Sequence, residues 1–318
     1  VPEALARLGH DPPVTLDPAL ANLAPLLAGN PVDLSGDVAA IRRHFDDLQV
    51  MGASAPGVPV GPTEDVLIHG RIPARIYRPE SSEPAATLLY LHGGGFVIGS
   101  IRTHDRQVRE IVARTGCVAV SIDYRLAPEH PWPAGVEDAW EALGWVAEHV
   151  AELGGDAARV AVAGDSAGGN LAAVLAIRAR DEGGPALCGQ VLIYPVVDAR
   201  EHDAYPSRQA NADALFLDED LMRFFLRCYA PDPEQVSASP LLASSFAGLP
   251  PAVVVTAEHD PLCDEGVAYA RALADAGVAV RARTFQGLVH GYFALGFLAP
   301  SLQAAVDETC AMINELLG

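Results

Sequence analysis

The stretch Gly164-Asp165-Ser166-Ala167-Gly168-Gly169 sets a serine between glycines, with the apolar run Val160 to Ala163 before it and a helix-type run from Asn170 after it. That context puts Ser166 on a turn between a strand and a helix. There the Gly-x-Ser-x-Gly spacing lets neighbouring backbone approach a strained, exposed hydroxyl. A serine hydroxyl needs a base to act as a nucleophile, and the base needs an orienting carboxylate. On a strand-turn-helix elbow the partners follow in the order acid, then histidine. Downstream of Ser166 lie His202, His259 and His290. His202 sits among charged residues and is expected at the surface. His259 directly precedes Asp260 and cannot easily serve as base while its neighbour supplies the acid. His290, in Gly287-Leu288-Val289-His290-Gly291-Tyr292, follows the last strand-type run in a glycine-flanked loop and is the expected base. Asp260 closes its strand and is preferred as the acid over Asp264, a turn farther into a helix that Pro261 begins. Glu258 is expected to face away.

Acyl transfer builds negative charge on the substrate oxygen, so hydrogen-bond donors must already be aimed at it. The run Leu88 to Leu91 leads into His92-Gly93-Gly94-Gly95-Phe96, a loop whose backbone N–H groups can all face a ligand. Gly94 and Gly95, with the N–H of Ala167 after the nucleophile, are the expected donors. A phosphate-cradling loop is disfavoured, because no helix follows immediately and no lysine is available.

These residues have to be held by a frame, and the frame is legible. Glu64 to His69 and Ile72 to Tyr77 alternate apolar and polar residues as an antiparallel pair does. From residue 87 onward, strand-type runs (Leu88 to Leu91, Cys117 to Ile122, Val160 to Ala163, Val191 to Tyr194, Val253 to Thr256, Val278 to Arg283) are separated by amphipathic stretches (Val136 to Val150, Leu171 to Ala179, Gly266 to Ala276), and Leu302 to Leu317 follows the last. Continuous apolar strands separated by helices predict an α/β fold with a mostly parallel sheet covered on both faces, and sites on such sheets form at the carboxyl ends of the strands. Residues 1 to 60 hold one predicted helix, Asp37 to Gln49, after a Ser35-Gly36 capping signal. Residues 198 to 240 interrupt the alternation and carry the apolar patch Leu221 to Leu226. The expected division is an N-terminal cap segment (1 to 60), a first core part (61 to 198), a cap insertion (199 to 240) and a second core part (241 to 318).

Composition removes other classes. Twenty-one basic residues stand against 41 acidic ones, a net charge of -20, and no basic residue is lysine. Nucleic acid is not an expected partner, and Schiff-base, Walker-type and Ser-x-x-Lys chemistries are excluded. Five scattered cysteines suggest neither a disulfide framework nor a zinc site. The chain reads as cytoplasmic, with no membrane span.

Taken together, His92-Gly93-Gly94-Gly95, Tyr124-Arg125-Leu126-Ala127-Pro128-Glu129-His130-Pro131, Gly164 to Gly169, Asp260-Pro261-Leu262 and His290-Gly291 resemble the hormone-sensitive-lipase-like branch of the α/β-hydrolases, which includes microbial carboxylesterases. The resemblance implies an eight-stranded sheet with a helical cap, a Ser166-His290-Asp260 triad, no cofactor, and His92 shaping the oxyanion loop. It also implies a buried turn at Tyr124 to Pro131 braced by Arg125 and Glu129. Trp132 and Tyr292 stand where phenylalanine is commoner. The expected activity is hydrolysis of short- to medium-chain carboxylic esters, with Phe96, Asp165, Leu221, Phe225 and Tyr292 as pocket residues. An amidase or deacetylase using the same triad, and a non-catalytic receptor on the same fold, are the alternatives, and His290 argues against the receptor. By analogy with the family, the strand near Val278 to Arg283 offers an edge for a homodimer.

Overall fold

The computed structural model describes residues 15–28, 33–34, 37–51, 57–81, 83–200 and 204–318. One sheet of eight strands organises them. Strand β1 (Thr63–Ile68) turns back into β2 (Ile72–Tyr77) through His69 and Gly70, both in the left-handed region. The other strands are β3 (Ala85–Leu91), β4 (Val118–Ile122), β5 (Gly155–Asp165), β6 (Gly189–Ile193), β7 (Ala252–His259) and β8 (Val280–Val289), and the spatial order is β1-β2-β4-β3-β5-β6-β7-β8. The pairs β1/β2 and β2/β4 are antiparallel and all others parallel.

Strand alternation divides the core cleanly in two. Leu89, Leu91, Val162, Leu192 and Val254 enter one buried cluster. Their neighbours Leu88, Tyr90, Ala161, Ala163, Val191 and Val253 enter the other. The first face is covered by α4 (Ala134–His149), α5 (Ala167–Asp181) and α8 (Cys263–Asp275), through residues such as Leu143, Leu171, Leu175 and Leu273. The second is covered by α3 (Ile101–Thr115) and α9 (Pro300–Leu317), through Val108, Ile111, Val306 and Ile313. Each such aliphatic side chain contributes about 1.5–3 kcal/mol by leaving water, so two apolar faces are what forces a three-layer arrangement.

Among the described residues, four α-helices lie outside these layers: α1 (Pro18–Ala28) and α2 (Val38–Met51) before the sheet, and α6 (Pro206–Ala210) and α7 (Glu219–Tyr229) between β6 and β7. Helix α7 starts on Asp218, whose carboxylate accepts the Leu221 N–H at 2.8 Å, and presents Leu221, Phe224 and Phe225 to the core.

The strand and helix expectations hold in outline, with adjustments: helix α1 falls in a segment where only the Asp37 to Gln49 helix was expected, and β5 begins at Gly155, five residues before Val160. The Ser35-Gly36 capping signal lies outside the described residues, and it is Asp37 that caps α2, accepting the Ala39 N–H at 3.2 Å. Strand β8 runs six residues beyond Arg283. Helix α3 was not anticipated, although Ser100 and Thr103 form a reciprocal capping box at its start and Gly116 closes it in the left-handed conformation. No helix among the described residues is long and apolar enough to cross a membrane.

Candidate active site

Ser166 sits between β5 and α5 with φ 55° and ψ −117°, a conformation that costs a residue with a side chain roughly 1–3 kcal/mol. Neighbouring backbone holds it there. The Ser166 N–H donates to the Ile193 carbonyl at 2.8 Å, and its own carbonyl accepts from Asn170 at 3.1 Å and Val196 at 3.2 Å. A Cβ on Gly164 would meet the backbone of Gly168, and one on Gly168 would meet that of Leu91 and His92. The glycines of the motif are therefore what lets the first turn of α5 press onto β3.

His290, just past β8, brings Nε2 to 2.9 Å from Ser166 Oγ and Nδ1 to 2.7 Å from Asp260 Oδ2. A carboxylate can only accept, so Nδ1 carries the proton and Nε2 offers a lone pair to the serine hydroxyl. Asp260 is fully buried, and its second oxygen accepts the Leu262 N–H at 2.8 Å. The other candidates lie elsewhere. His202 is outside the described residues, and His259 faces a separate cleft with Asn211 and Val289. Asp264 is in the first turn of α8, its carboxylate accepting the Ser207 N–H at 2.7 Å. Glu258 faces away as expected, accepting the Gly287 N–H at 2.8 Å. Alternation alone would have put residues 258 and 260 on the same side; the pairing with β8 shifts register between Ala257 and His259 and re-aims the chain.

Above Ser166 the loop after β3 is aimed through its carbonyls. The C=O of one residue and the N–H of the next point in opposite directions within a trans peptide. The Gly93 carbonyl accepts from His92 Nδ1 at 2.8 Å, which turns the Gly94 N–H the other way. The Gly94 carbonyl accepts from Val97 at 3.0 Å and Ile98 at 2.9 Å, which does the same for Gly95. Among the described residues no bond takes up the N–H of Gly94, Gly95 or Ala167. His92 is pushed down to about 3 by burial, with His104 nearby adding to the effect. It is a neutral donor, and Tyr124 stacks on it at 4.3 Å while donating to its carbonyl at 2.7 Å.

Asp165, expected in the substrate pocket, borders the cavity, but its carboxylate is spent on this loop. Oδ1 accepts from Tyr90 Oη at 2.7 Å and from the Gly93 N–H at 3.0 Å, and Oδ2 lies 3.4 Å from His104 Nε2. Burial raises its pKa, but the facing His104 and the hydrogen bonds from His104 and Tyr90 outweigh this, and the group ends below the usual carboxylate range. Tyr90 and His104 were not singled out from the sequence. Tyr90 reads as an ordinary core strand residue, and His104 became placeable only with the capping box of α3.

A cavity of about 830 Å³ opens over Ser166 and His290. Phe96, Leu221 and Phe225 line it, together with Met222 and Phe216 and with Leu23 and Phe45 from α1 and α2. The Phe225 ring lies so close to Gly95 that a Cβ there would run into it. Phe96, at φ 64°, stacks on Tyr229 at 3.8 Å. Two expectations are corrected. Tyr292 is not at the pocket edge: it is fully buried behind Tyr194 and Phe285, with its hydroxyl 3.0 Å from Thr309 Oγ1. The turn at Tyr124 to Pro131 is not buried throughout: Arg125 and residues 128–131 are exposed, and each charge braces it through a partner of its own. Arg125 grips Asp138 in α4 through Nε and Nη2 at 2.8 and 2.9 Å, whereas half-exposed Glu129 pairs with Arg42 of α2 at 2.7 Å. Trp132 ties the core to the 199–240 segment, its backbone N–H donating to the Tyr229 carbonyl at 2.9 Å and its indole Nε1 to the Ser237 carbonyl at 3.4 Å. No group of three or more His, Cys, Asp or Glu residues suited to a metal occurs among the described residues.

Comparison with known proteins agrees with this geometry. Residues 88–294 match a family model described as the alpha/beta hydrolase fold. Carboxylesterase NlhH of Mycobacterium tuberculosis is 44% identical over 254 residues, covering 77% of this chain and 79% of its own length. Esterase LipI of the same organism is 41% identical over 317 residues, 95% of each chain. A solved hyperthermophilic esterase from the archaeon Pyrobaculum calidifontis superposes with a TM-score of 0.90 at 41% identity, covering 95% of this chain and 99% of that one. A serine elbow, a histidine set between that serine and a buried carboxylate, and three unspent N–H groups at the carboxyl edge of a parallel sheet are thus the equipment of an acyl-transfer hydrolase, and the chain belongs to the hormone-sensitive-lipase-like carboxylesterases of the α/β-hydrolase fold.

Proposed function

We propose that this carboxylic-ester hydrolase works through an acyl-enzyme on Ser166, with His290 as base, Asp260 as its orienting acid, and the N–H groups of Gly94, Gly95 and Ala167 as the oxyanion hole, on small esters of short to medium acyl chain. The observation that carries the reading is the continuous chain from Asp260 Oδ2 through His290 to Ser166 Oγ, 2.7 and 2.9 Å long. His290 Nε2 takes the serine proton as Oγ attacks the ester carbonyl. The carbonyl π pair moves onto the oxygen, into the three N–H groups. Collapse expels the alcohol, which takes the proton back from His290. Water then attacks the acyl-enzyme with its proton going to His290, and the acid leaves as Ser166 is reprotonated. Asp260 holds the imidazole in one tautomer throughout.

The apolar walls of the 830 Å³ cavity, with Phe225 over Gly95 close to the nucleophile, support the chain-length assignment. In the same reading, residues 1–60 and 199–240 form the cap over the core parts 61–198 and 241–318, and a second copy would pair along the outer edge of β8. The test is Ser166→Ala assayed on p-nitrophenyl butyrate, with a matched anilide alongside. Turnover should fall by about 10⁴-fold or more with folding intact, and the wild type should cleave the ester in preference to the anilide. Near wild-type hydrolysis by Ser166→Ala would overturn the assignment.

A further inference from the structure

The oxyanion loop is held from below by Asp165 and His92, but a charged side chain also reaches it from outside the sheet. Arg42, in α2, brings its guanidinium to the backbone next to the loop. Nε donates to the Val97 carbonyl at 2.7 Å, and Nη2 donates to the Ala127 carbonyl at 2.8 Å. The two terminal nitrogens also grip Glu129 as a fork, at 2.8 and 2.7 Å. The carbonyls it holds are not incidental. The Val97 carbonyl shares its peptide with the Ile98 N–H, which with the Val97 N–H donates to the Gly94 carbonyl, the bonds that turn the Gly95 N–H toward the reacting oxygen, and Ala127 donates to the Phe96 carbonyl at 2.9 Å. Phe96, at φ 64°, is strained and must be kept in place by its surroundings. One planar cation thus pins two backbone segments that hold the Gly94–Phe96 turn, and it is carried by a helix that is also tied to the core by Asp46 with Arg102, 2.7 Å apart. Lysine could not do this, since a single ammonium lacks the rigid fork that reaches two carbonyls and a carboxylate at once.

We propose that Arg42 is a positioning residue that couples the seating of helix α2 to the alignment of the oxyanion hole, so that the enzyme is catalytically assembled only when this part of its N-terminal segment is docked. The proposal rests on the reading of Gly94 and Gly95 as oxyanion donors. It makes α2 part of the rate machinery as well as a wall of the pocket. Glu129, outermost and half-exposed, mainly holds the guanidinium's orientation.

The experiment compares wild type, Arg42→Ala, Arg42→Lys and Glu129→Gln in kcat and KM on p-nitrophenyl butyrate, and in the inhibition constants of hexyl trifluoromethyl ketone and its carbinol. The ketone accepts Ser166 Oγ at its carbonyl carbon, its proton passing to His290 and the π pair becoming an oxyanion, so its affinity reads the hole directly. The carbinol fills the same pocket without forming that charge. Arg42→Ala should lose about 10- to 100-fold in kcat with KM changed less than about threefold. Ketone affinity should fall by the same factor while carbinol affinity holds, and added methylguanidine should recover part of both losses. Arg42→Lys, which keeps a cation opposite Glu129, should fold as wild type does and lose about 5- to 30-fold by the same signature, and Glu129→Gln about threefold or less. Arg42→Lys decides the matter should the alanine variant not fold. Folded Arg42 variants with kcat and ketone affinity within threefold of wild type, or with ketone and carbinol affinity falling together, overturn the role of Arg42. A wild type that binds the ketone no better than the carbinol overturns the oxyanion reading beneath it.

Discussion

Replacing Asp165 by alanine separates two roles that a residue beside the nucleophile can have. If its carboxylate addressed substrate, the loss would appear in KM and selectivity. The geometry assigns it to the loop instead: Tyr90 Oη at 2.7 Å and the Gly93 N–H at 3.0 Å share one oxygen in a site where Asp165 is only 4% exposed. Alanine leaves both donors buried without a partner, at about 1–3 kcal/mol each. The expected destabilisation of about 2–6 kcal/mol is a large share of the 5–15 kcal/mol typical of a folded domain. Release of the Gly93 N–H also loosens the residue whose carbonyl, held by His92, aims the Gly94 N–H, and in the proposed mechanism misplacing one oxyanion donor costs about 10²-fold or more in kcat. Asp165→Asn keeps an acceptor for both donors and should lose less than about tenfold. Urea unfolding and steady-state kinetics on p-nitrophenyl butyrate measure both quantities. An alanine variant of wild-type stability and kcat, or one altered in KM alone, would refute the reasoning.

Asp260→Asn should lower kcat by about 10⁴-fold through loss of the imidazole tautomer, whereas Asp264→Asn, which touches only the Ser207 region, should stay within about threefold; comparable losses in the two would reassign the acid. His92 titrates at about 3 in the folded chain and near 6.5 when unfolded. The unfolded chain therefore binds a proton between those values that the native state does not, and this contribution to stability is whole above pH 6.5 and falls by about 2 kcal/mol on going down to pH 5. His92→Asn should flatten the difference between unfolding free energies at pH 7 and pH 5 by that amount, and equal pH slopes in variant and wild type would refute it. In a chain-length series, kcat/KM should be highest on esters of short to medium acyl chain, and faster turnover of emulsified long-chain triacylglycerols would contradict the pocket assignment.

Much of the proposed triad could be read from order alone. Gly-x-Ser-x-Gly with a strand before and a helix after admits few geometries, and elimination among three downstream histidines reached His290 because it alone follows the last strand without crowding the acid. The parallel strands were legible because both faces are buried, so they appear as unbroken apolar runs. What was not legible came from long-range contacts. Asp165 and Tyr292 both sit beside a triad member in sequence, yet one turns under the loop and the other behind the sheet, and no local pattern records which way a side chain leaves a turn. The partners of Arg125 and Glu129 were not legible for a similar reason. Both charges lie in one motif, but Arg125 meets Asp138 from the helix that follows, and Glu129 meets Arg42, 87 residues away in sequence. Arg42 itself sits in a segment whose sequence looks like an appendage.

The central claim is that Ser166 forms the covalent intermediate, and it is tested most directly by reacting the protein with a p-nitrophenyl alkylphosphonate and measuring intact mass, residual activity and the modified peptide together. The account predicts one phosphonyl group per chain, on Ser166, with activity lost in proportion and no adduct on Ser166→Ala. An adduct on another residue that accompanies the loss of activity, or full activity in protein fully labelled at Ser166, would contradict it.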